Sequence, residues 1–516
     1  MTPQLCSSLW SILALIILFY GTRWKHNRSR LPLPPGPKKL PLIGNLLDMP
    51  SERQWEAYHA WSKECNSDII HVNAAGTSIV VLSSMEAIRD LFDKRSSLYS
   101  DRVRLPMLVE LMGWDFAIGE SVFDSRRAHR KLFHEAFNVN AVKQFHPQER
   151  VAAHRLLRRI LNDPKDIMKH FRHLAAVLIM DVTYGIDAGN PGDPYTNLAE
   201  EAMHGLSVAS LPGRFLVDTI PALKYVPSWF PGADFQRQAK KWRKATRDLL
   251  EMPFAHAKRN IALGSAPASF TSLSLAALES SQKEGQREQE NLIKGTAANM
   301  YGAGSDTTAA ALGTFVYAML ANPEAQRKAQ AELDAVLGPS HLPDFADEVV
   351  LPYVSAVVKE VLRWKNVTPI AVPHFVSVDD DYRGYRIPAG SIVIGNTWAI
   401  LHDEDMYPDP HAFKPERFLL DGKLNPAVRD PEVAAFGFGR RICPGRHMAT
   451  SSLFITIASM LATLDIKKAR DEHGNEVEPS YEFFPGLISP PLPFKCSITP
   501  RSQKAVEAIN SSSGND

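Results

Sequence analysis

The chain has 516 residues, 45% of them hydrophobic and 22% charged, with a formal net charge of +1. This is an ordinary globular balance with material for a large core, and the near-zero charge argues against a nucleic-acid partner. Its four cysteines, Cys6, Cys65, Cys443 and Cys496, are far apart and form no CxxC pair, which argues against a zinc knuckle or a disulfide framework and fits a reducing compartment for the bulk of the chain.

In chain order, the first element is apolar. Leu9 to Phe19 contains eight Leu, Ile or Phe residues, which at about −0.5 kcal/mol each near a helix centre favour insertion by about 4 kcal/mol. The uncharged stretch Leu5–Gly21 is at the short end for a span. Arg23, Lys25, Arg28 and Arg30 follow it, so the body is expected on the cytosolic side. A cleaved signal peptide is the competing reading, but no basic residue precedes the run and no small-x-small cleavage site follows. We therefore expect a transmembrane anchor over 1–22, held in the endoplasmic reticulum membrane. A basic, proline-rich hinge follows over 23–40, where prolines 32, 34, 35 and 37 forbid helix. One catalytic domain is expected over 41–500, because no clear linker interrupts it, and a flexible polar tail over 501–516.

Asp68–Leu82 predicts two strands turning at Ala75-Gly76, and Ser84 predicts the cap of a short helix. Residues 125–335 read mostly as helix, with a break at the prolines of 226–232. Residues 264–290, rich in Ala and Ser and then in charge, predict an exposed loop. A long helix is expected from about Asn291 to Ala321, stopped at Asn322-Pro323. Short strands and turns follow residue 375, and a last apolar helix spans about Arg446 to Leu464. The fold class is mainly α with a smaller β-rich part, an α+β arrangement.

The stretch AAFGFGRRICPGRHMA, residues 434–449, sets Cys443 among glycines, arginines and a proline. Gly437 and Gly439 let another group approach the backbone. Pro444 and Gly445 lead into a helix, and a thiol at a helix N-terminus near Arg440, Arg441 and Arg446 is expected to favour thiolate. Such a thiolate suits a nucleophile, a redox sensor or a metal ligand. His447 lies in helical register and points away as a base, and zinc needs more sulfur or histidine nearby. One axial haem ligand needs only one thiolate, a close backbone and cations for two propionates, which fits the whole stretch.

Phe436-Gly437-Phe438-Gly439-Arg440-Arg441-Ile442-Cys443-Pro444-Gly445 resembles the haem-binding loop of the cytochrome P-450 monooxygenases, F-x-x-G-x-R-x-C-x-G, at every fixed position. Ala303-Gly304-Ser305-Asp306-Thr307-Thr308 lies in the long helix, where Gly302 and Gly304 each cost about 1 kcal/mol relative to alanine and so imply close approach or distortion. The resemblance implies the fold of that family, with haem b between the long helix and the cysteine loop. It implies Cys443 as the axial iron ligand and an oxygen groove at Gly304, with Asp306 and Thr307 relaying protons. Glu360-Val361-Leu362-Arg363 sets an acid and a base one turn apart. With Arg417 of Pro415-Glu416-Arg417-Phe418, the resemblance implies a buried structural triad of Glu360, Arg363 and Arg417. Arg126–Arg130 is similar to the family's W-x-x-x-R, with Arg126 replacing the tryptophan. Arg130, Arg126, His374 and Arg441 are the expected propionate partners, and Phe436 and Gly437 also face the cofactor.

The resemblance covers about residues 32–500. It implies a monooxygenase acting on a hydrophobic small molecule, similar to fungal members that tailor secondary metabolites. A terpenoid is the first expectation; a polyketide or an indole is the other. Substrate contacts are expected from 102–116, 206–220, 299–303, 370–375 and 487–488. No dinucleotide fingerprint lies between strand and helix, so electrons are expected from an NADPH-dependent flavoprotein reductase docking near Arg440, Arg446 and Lys414. The rivals are a reductase-independent haem-thiolate isomerase or dehydratase and a non-enzymatic membrane-tethered haem sensor.

Overall fold

The structure, a computed structural model, describes residues 31–117, 123–189, 193–210, 214–280, 285–338 and 341–512. The anchor expected over 1–22 lies outside the described residues, as does the side chain of Arg126. Among the described residues, no helix is long and apolar enough to cross a membrane.

Residues 31–40, the described part of the expected hinge, lie along the first sheet. Pro35 and Pro32 carbonyls accept from the His71 and Arg386 N–H groups, each at 2.8 Å. A Cβ at Gly36 would stand 2.2 Å from the His71 carbonyl oxygen, so only glycine allows this approach.

Helices of nine or more residues are numbered here in chain order. Helix α1 (Gln54–Glu64) precedes strands β1 (Ile69–Ala74) and β2 (Thr77–Leu82), and Ala75 and Gly76 take positive φ in the turn between them. Ser84 caps its short helix by accepting from the Ala87 N–H, but the helix widens to π over Arg89–Lys94. Then follow α2 (Phe123–Phe137), α3 (His146–Asn162), α4 (Ile167–Tyr184), α5 (Pro194–Ala209) and α6 (Asp234–Ala262). The loop expected over 264–290 contains α7 (Phe270–Ser280), because Phe270, Thr271 and Leu275 are buried and the Thr271 hydroxyl donates to the Thr183 carbonyl at 2.7 Å.

Helix α8 (Gln286–Ala321) starts earlier than its sequence pattern predicts and is 36 residues long, about 54 Å at 1.5 Å per residue. From Ala309 to Leu320 every residue is buried, so it is a central helix covered all round. Helices α9 (Pro323–Val336) and α10 (Pro352–Trp364) follow, each opened by proline at its first position. Strands β3 (His374–Val376), β4 (Asp380–Tyr382), β5 (Tyr385–Ile387) and β6 (Ser391–Gly395) come next. The main sheet has the order β1-β2-β6-β3, with β6 parallel to β2 (Ile79 opposite Ile392) and antiparallel to β3 (Val393 opposite His374). This pairing of distant strands carries His374 to the edge of the helical core.

Helix α11 (Arg446–Thr463) follows the cysteine loop. The expected tail instead forms α12 (Gln503–Ser511), capped by Ser502, with Ala505 and Ile509 in the core. The polar stretch whose composition reads as disorder, 511–516, lies outside the described residues from 513 on.

Candidate active site

The cysteine loop is shaped by glycine and closed by backbone hydrogen bonds. Gly437 and Gly439 have φ of +76° and +55°. A Cβ on Gly439 would stand 2.0 Å from the Phe92 carbonyl oxygen, so both its conformation and its neighbour require glycine. The Cys443 N–H donates to the Phe436 carbonyl at 2.7 Å. Arg446, the first residue of α11, donates to the Cys443 carbonyl at 3.3 Å. Arg130 of α2 donates to the Ile442 carbonyl at 2.5 Å. The residue carrying the sulfur is thus held from both sides in sequence and from a separate helix.

A cavity of about 250 Å³ separates this loop from α8. Thr307, Thr308 and Ala311 line it from α8; Phe436, Gly437, Phe438, Arg441 and Cys443 line it from the loop; Ala449 and Leu453 line it from α11. Leu362, Asn366, Val367, Thr368, Ala371, Val372 and His374 complete it with Arg102 and Ala435. The Thr307 hydroxyl donates to the Ala303 carbonyl at 2.9 Å. Asp306 is half-buried on the same turn but does not line the cavity.

Three cationic or titratable groups collect in one part of this lining. Arg102 donates to the carbonyls of Val372 and Pro373, and Arg441 donates through Nε to Ser100 O at 2.7 Å. His374 sits 2.5 Å from Tyr99 O through Nδ1 and stacks on Phe92 with ring centroids 3.9 Å apart. Burial, then Arg102, holds the His374 imidazole well below its ordinary pKa, with Arg441 adding to the shift. With no carboxylate beside it the ring is therefore neutral, its proton on the nitrogen facing the Tyr99 carbonyl; a carboxylate at Nε2 would favour the doubly protonated ring, which donates from both nitrogens.

The thiol corrects one expectation. Burial pushes Cys443 up from its ordinary pKa, outweighing the Gly445 N–H and the Arg130 and Arg446 charges that act in the thiolate's favour. Burial thus opposes the thiolate in the protein alone, and a cation bound at the sulfur would favour it. The donor set fits haem: one sulfur on the loop wall, aliphatic and aromatic side chains across the cavity, and Arg102, Arg441 and His374 for two carboxylates.

The structure brings Glu360, Arg363 and Arg417 together. Arg363 makes a bidentate pair with Glu360 at 2.7 and 2.8 Å, both side chains fully buried, and Arg417 Nε reaches Glu360 Oε1 at 3.1 Å. Arg363 also donates to the carbonyls of Leu401, Pro410 and Ala412. The triad therefore fixes residues 408–414 against α10, away from the cavity.

Gly304 does not line the cavity. A Cβ there would meet Ile179 of α4 at 3.0 Å, so this glycine serves close packing of α8 on α4. Gly302 likewise faces Met203 of α5. Near the loop, Lys414 is ion-paired with Asp409 and Arg446 turns back to Cys443, leaving Arg440 as the exposed arginine of the three cations expected to dock a partner. Among the described residues, 206–220, 299–303 and 487–488 do not line this cavity. Sequence reasoning missed Thr308, Ala311 and Asn366–Thr368; the last three directly follow the helix carrying Glu360 and Arg363, and that adjacency was the available signal. It also missed His129, which is buried and bonds Thr296 at 2.7 Å, docking α2 on α8.

A family model described as Cytochrome P450 matches residues 34–498. The chain is 51% identical to "Cytochrome P450 monooxygenase 98" of Postia placenta, over 94% of this chain and 93% of that one. It is 45% identical to "Cytochrome P450 monooxygenase ple1" of Rhodocybe pseudopiperita, over 97% and 95%. It is 41% identical to "Tryptamine 4-monooxygenase" of Psilocybe cyanescens, over 96% and 97%.

Proposed function

The chain belongs to the cytochrome P450 family and is a haem b monooxygenase, and from that premise we propose that it oxidises a neutral, hydrophobic small molecule of fungal secondary metabolism, a terpenoid before a polyketide or an indole. The observation that carries this reading is the cavity in which Cys443 and Thr307 stand on opposite walls with Arg102, His374 and Arg441 beside them. Its lining contains no Asp or Glu among the described residues. An amine substrate would enter it without a counter-charge, which favours a neutral skeleton. The relative named for tryptamine supports the indole as the second reading.

In this reading Cys443 would hold the haem iron through its sulfur. Arg130, Arg441 and His374 would hold the propionates, with Arg102 as a further donor and Arg126 as an additional candidate. Phe436 and Gly437 would face the ring. Haem, when bound, supplies dioxygen activation and insertion of one oxygen atom into a substrate C–H bond, the other oxygen leaving as water. The two electrons come from NADPH through a separate flavoprotein reductase. The chain would contribute proton control: Thr307 Oγ1 stands at the cavity wall and would turn its proton there from the Ala303 carbonyl, with half-buried Asp306, next to it in the chain, as the proposed resupply. The apolar lining keeps bulk water from the reacting oxygen. Glu360, Arg363 and Arg417 would act on the pocket's shape only through α10, whose Leu362 lines it. An anchor over 1–22 would hold the enzyme at the endoplasmic reticulum membrane with its body cytosolic.

The dithionite-reduced, carbon-monoxide-bound spectrum tests this reading. We expect a strongly red-shifted Soret band that is lost in Cys443→Ser. A histidine-type band in the wild type, or an unchanged band in the variant, would remove Cys443 as ligand. Substrate-induced spectral shifts then rank terpenoids against polyketides and indoles.

A further inference from the structure

A second cavity, of about 360 Å³, opens between α3 and α4. Its size falls within the roughly 300–1,000 Å³ of small-molecule sites, and none of its lining residues lines the Cys443 cavity. The sequence builds it from two basic helix faces. Arg155, Arg158 and Arg159 of α3 stand at spacings of three and four, hence on one face. His170 and His173 of α4 stand three apart and line the same cavity. Leu156, Leu174 and Val177 give it an aliphatic wall.

A row of basic side chains is by itself only a solvated face. Here two of them find neutralising or polar partners: Arg155 pairs with Asp187 at 2.9 Å and Arg158 donates to Ser512 at 2.8 Å. Inside, Nε of Arg159 and Nδ1 of His170 are buried without a hydrogen-bond partner among the described residues. His170 is 4% exposed, and its Nε2 is already committed to the Asp163 carbonyl at 2.7 Å. An orphaned polar atom on so buried a side chain requires compensation by a ligand or water. His173 is pushed down to about 4, first by burial and then by Arg159 and His170, against Asp193 and Asp187; Asp187 itself lines the cavity but is paired with Arg155 through one guanidinium nitrogen.

We propose that the cavity between α3 and α4 binds a small organic oxyanion, a phosphate or carboxylate head on a short apolar body, held by Arg155, Arg159 and His170. Guanidinium forks match a phosphate or carboxylate in geometry and charge. With its ring proton given to the Asp163 carbonyl, Nδ1 of His170 accepts from the hydroxyl of a monoprotonated phosphate or from a water beside the head. The aliphatic wall takes the apolar body, and the head stays at the arginines.

Calorimetric titration of the full-length, haem-loaded protein with butyl phosphate, butyrate and inorganic phosphate tests this. The expected result is one saturable site for butyl phosphate or butyrate, at least tenfold tighter than for inorganic phosphate. Arg159→Gln and Arg155→Gln should each weaken it tenfold or more, with the carbon-monoxide spectrum retained. His170→Gln is the third variant; because its side chain is buried and its replacement risks the fold, the two arginine variants decide. Equal affinity for inorganic phosphate would overturn the organic ligand and leave a free-ion site. Binding unchanged in both arginine variants, or no binding of any probe, would overturn the site itself.

Discussion

Thr307 is the only member of the expected acid–alcohol pair on the cavity wall, its hydroxyl bonded to the Ala303 carbonyl one turn back. Thr307→Ala removes the hydroxyl and keeps the fold, since a threonine on a helix is replaced there by a better helix former. We expect haem binding to persist and product formed per NADPH to fall roughly tenfold or more, with hydrogen peroxide appearing in its place; a peroxide assay beside NADPH consumption reads both. Glu360 is a different kind of residue. Two guanidiniums and the Lys414 N–H converge on its carboxylate. Glu360→Ala would leave buried charges unpaired at a cost of about 3–5 kcal/mol. Thermal unfolding should fall and haem content with it, whereas any protein retaining haem should keep its coupling ratio.

At the level of elements, α3 meets α11 through one buried acid. Glu149 is 1% exposed and accepts hydrogen bonds from the hydroxyls of Ser451 and Ser452 at 2.8 and 2.9 Å. Burial pushes its carboxyl up to about 8, against the opposing effect of both serines. Because the folded pKa is raised above 4.5, the protonated acid's contribution is fully present below about pH 4.5 and is lost as pH rises toward 8, up to about 5 kcal/mol by linkage. Glu149→Gln keeps the shape without the charge. It should raise the unfolding temperature relative to the wild type at pH 8 and converge with it near pH 5, measured by thermal melts across that range. The packing of α8 on α4 is the other decisive contact, and there Gly304 acts by the side chain it lacks.

For the whole molecule, a net charge of +1 leaves no long-range field of one sign, so partner docking depends on local charge. Arg440 is exposed on the cysteine loop, whereas Lys414 pairs with Asp409 and Arg446 donates to the Cys443 carbonyl. We expect Arg440→Glu to slow electron transfer from the reductase about tenfold at low salt, with the difference shrinking at high ionic strength. Stopped-flow reduction in a salt series checks this; equal rates would move the docking face elsewhere.

What the sequence by itself determined was local. Glycines, proline and arginines around Cys443 specify a tight loop before a helix, and apolar continuity with a terminal Asn-Pro specifies the central helix, since turn chemistry and helix stops are properties of neighbouring residues. Tertiary structure decided what depends on distant partners. Phe270 and Leu275 turn an Ala/Ser-rich stretch into a helix, and Ala505 and Ile509 order the tail, because burial offsets the entropy that composition alone does not. Gly304 spaces two helices because Ile179, more than a hundred residues earlier, comes to lie against it. The burial that raises the Cys443 thiol likewise outweighs the helix end and cations beside it, since desolvation is set by everything packed around a group and not by its neighbours in the chain.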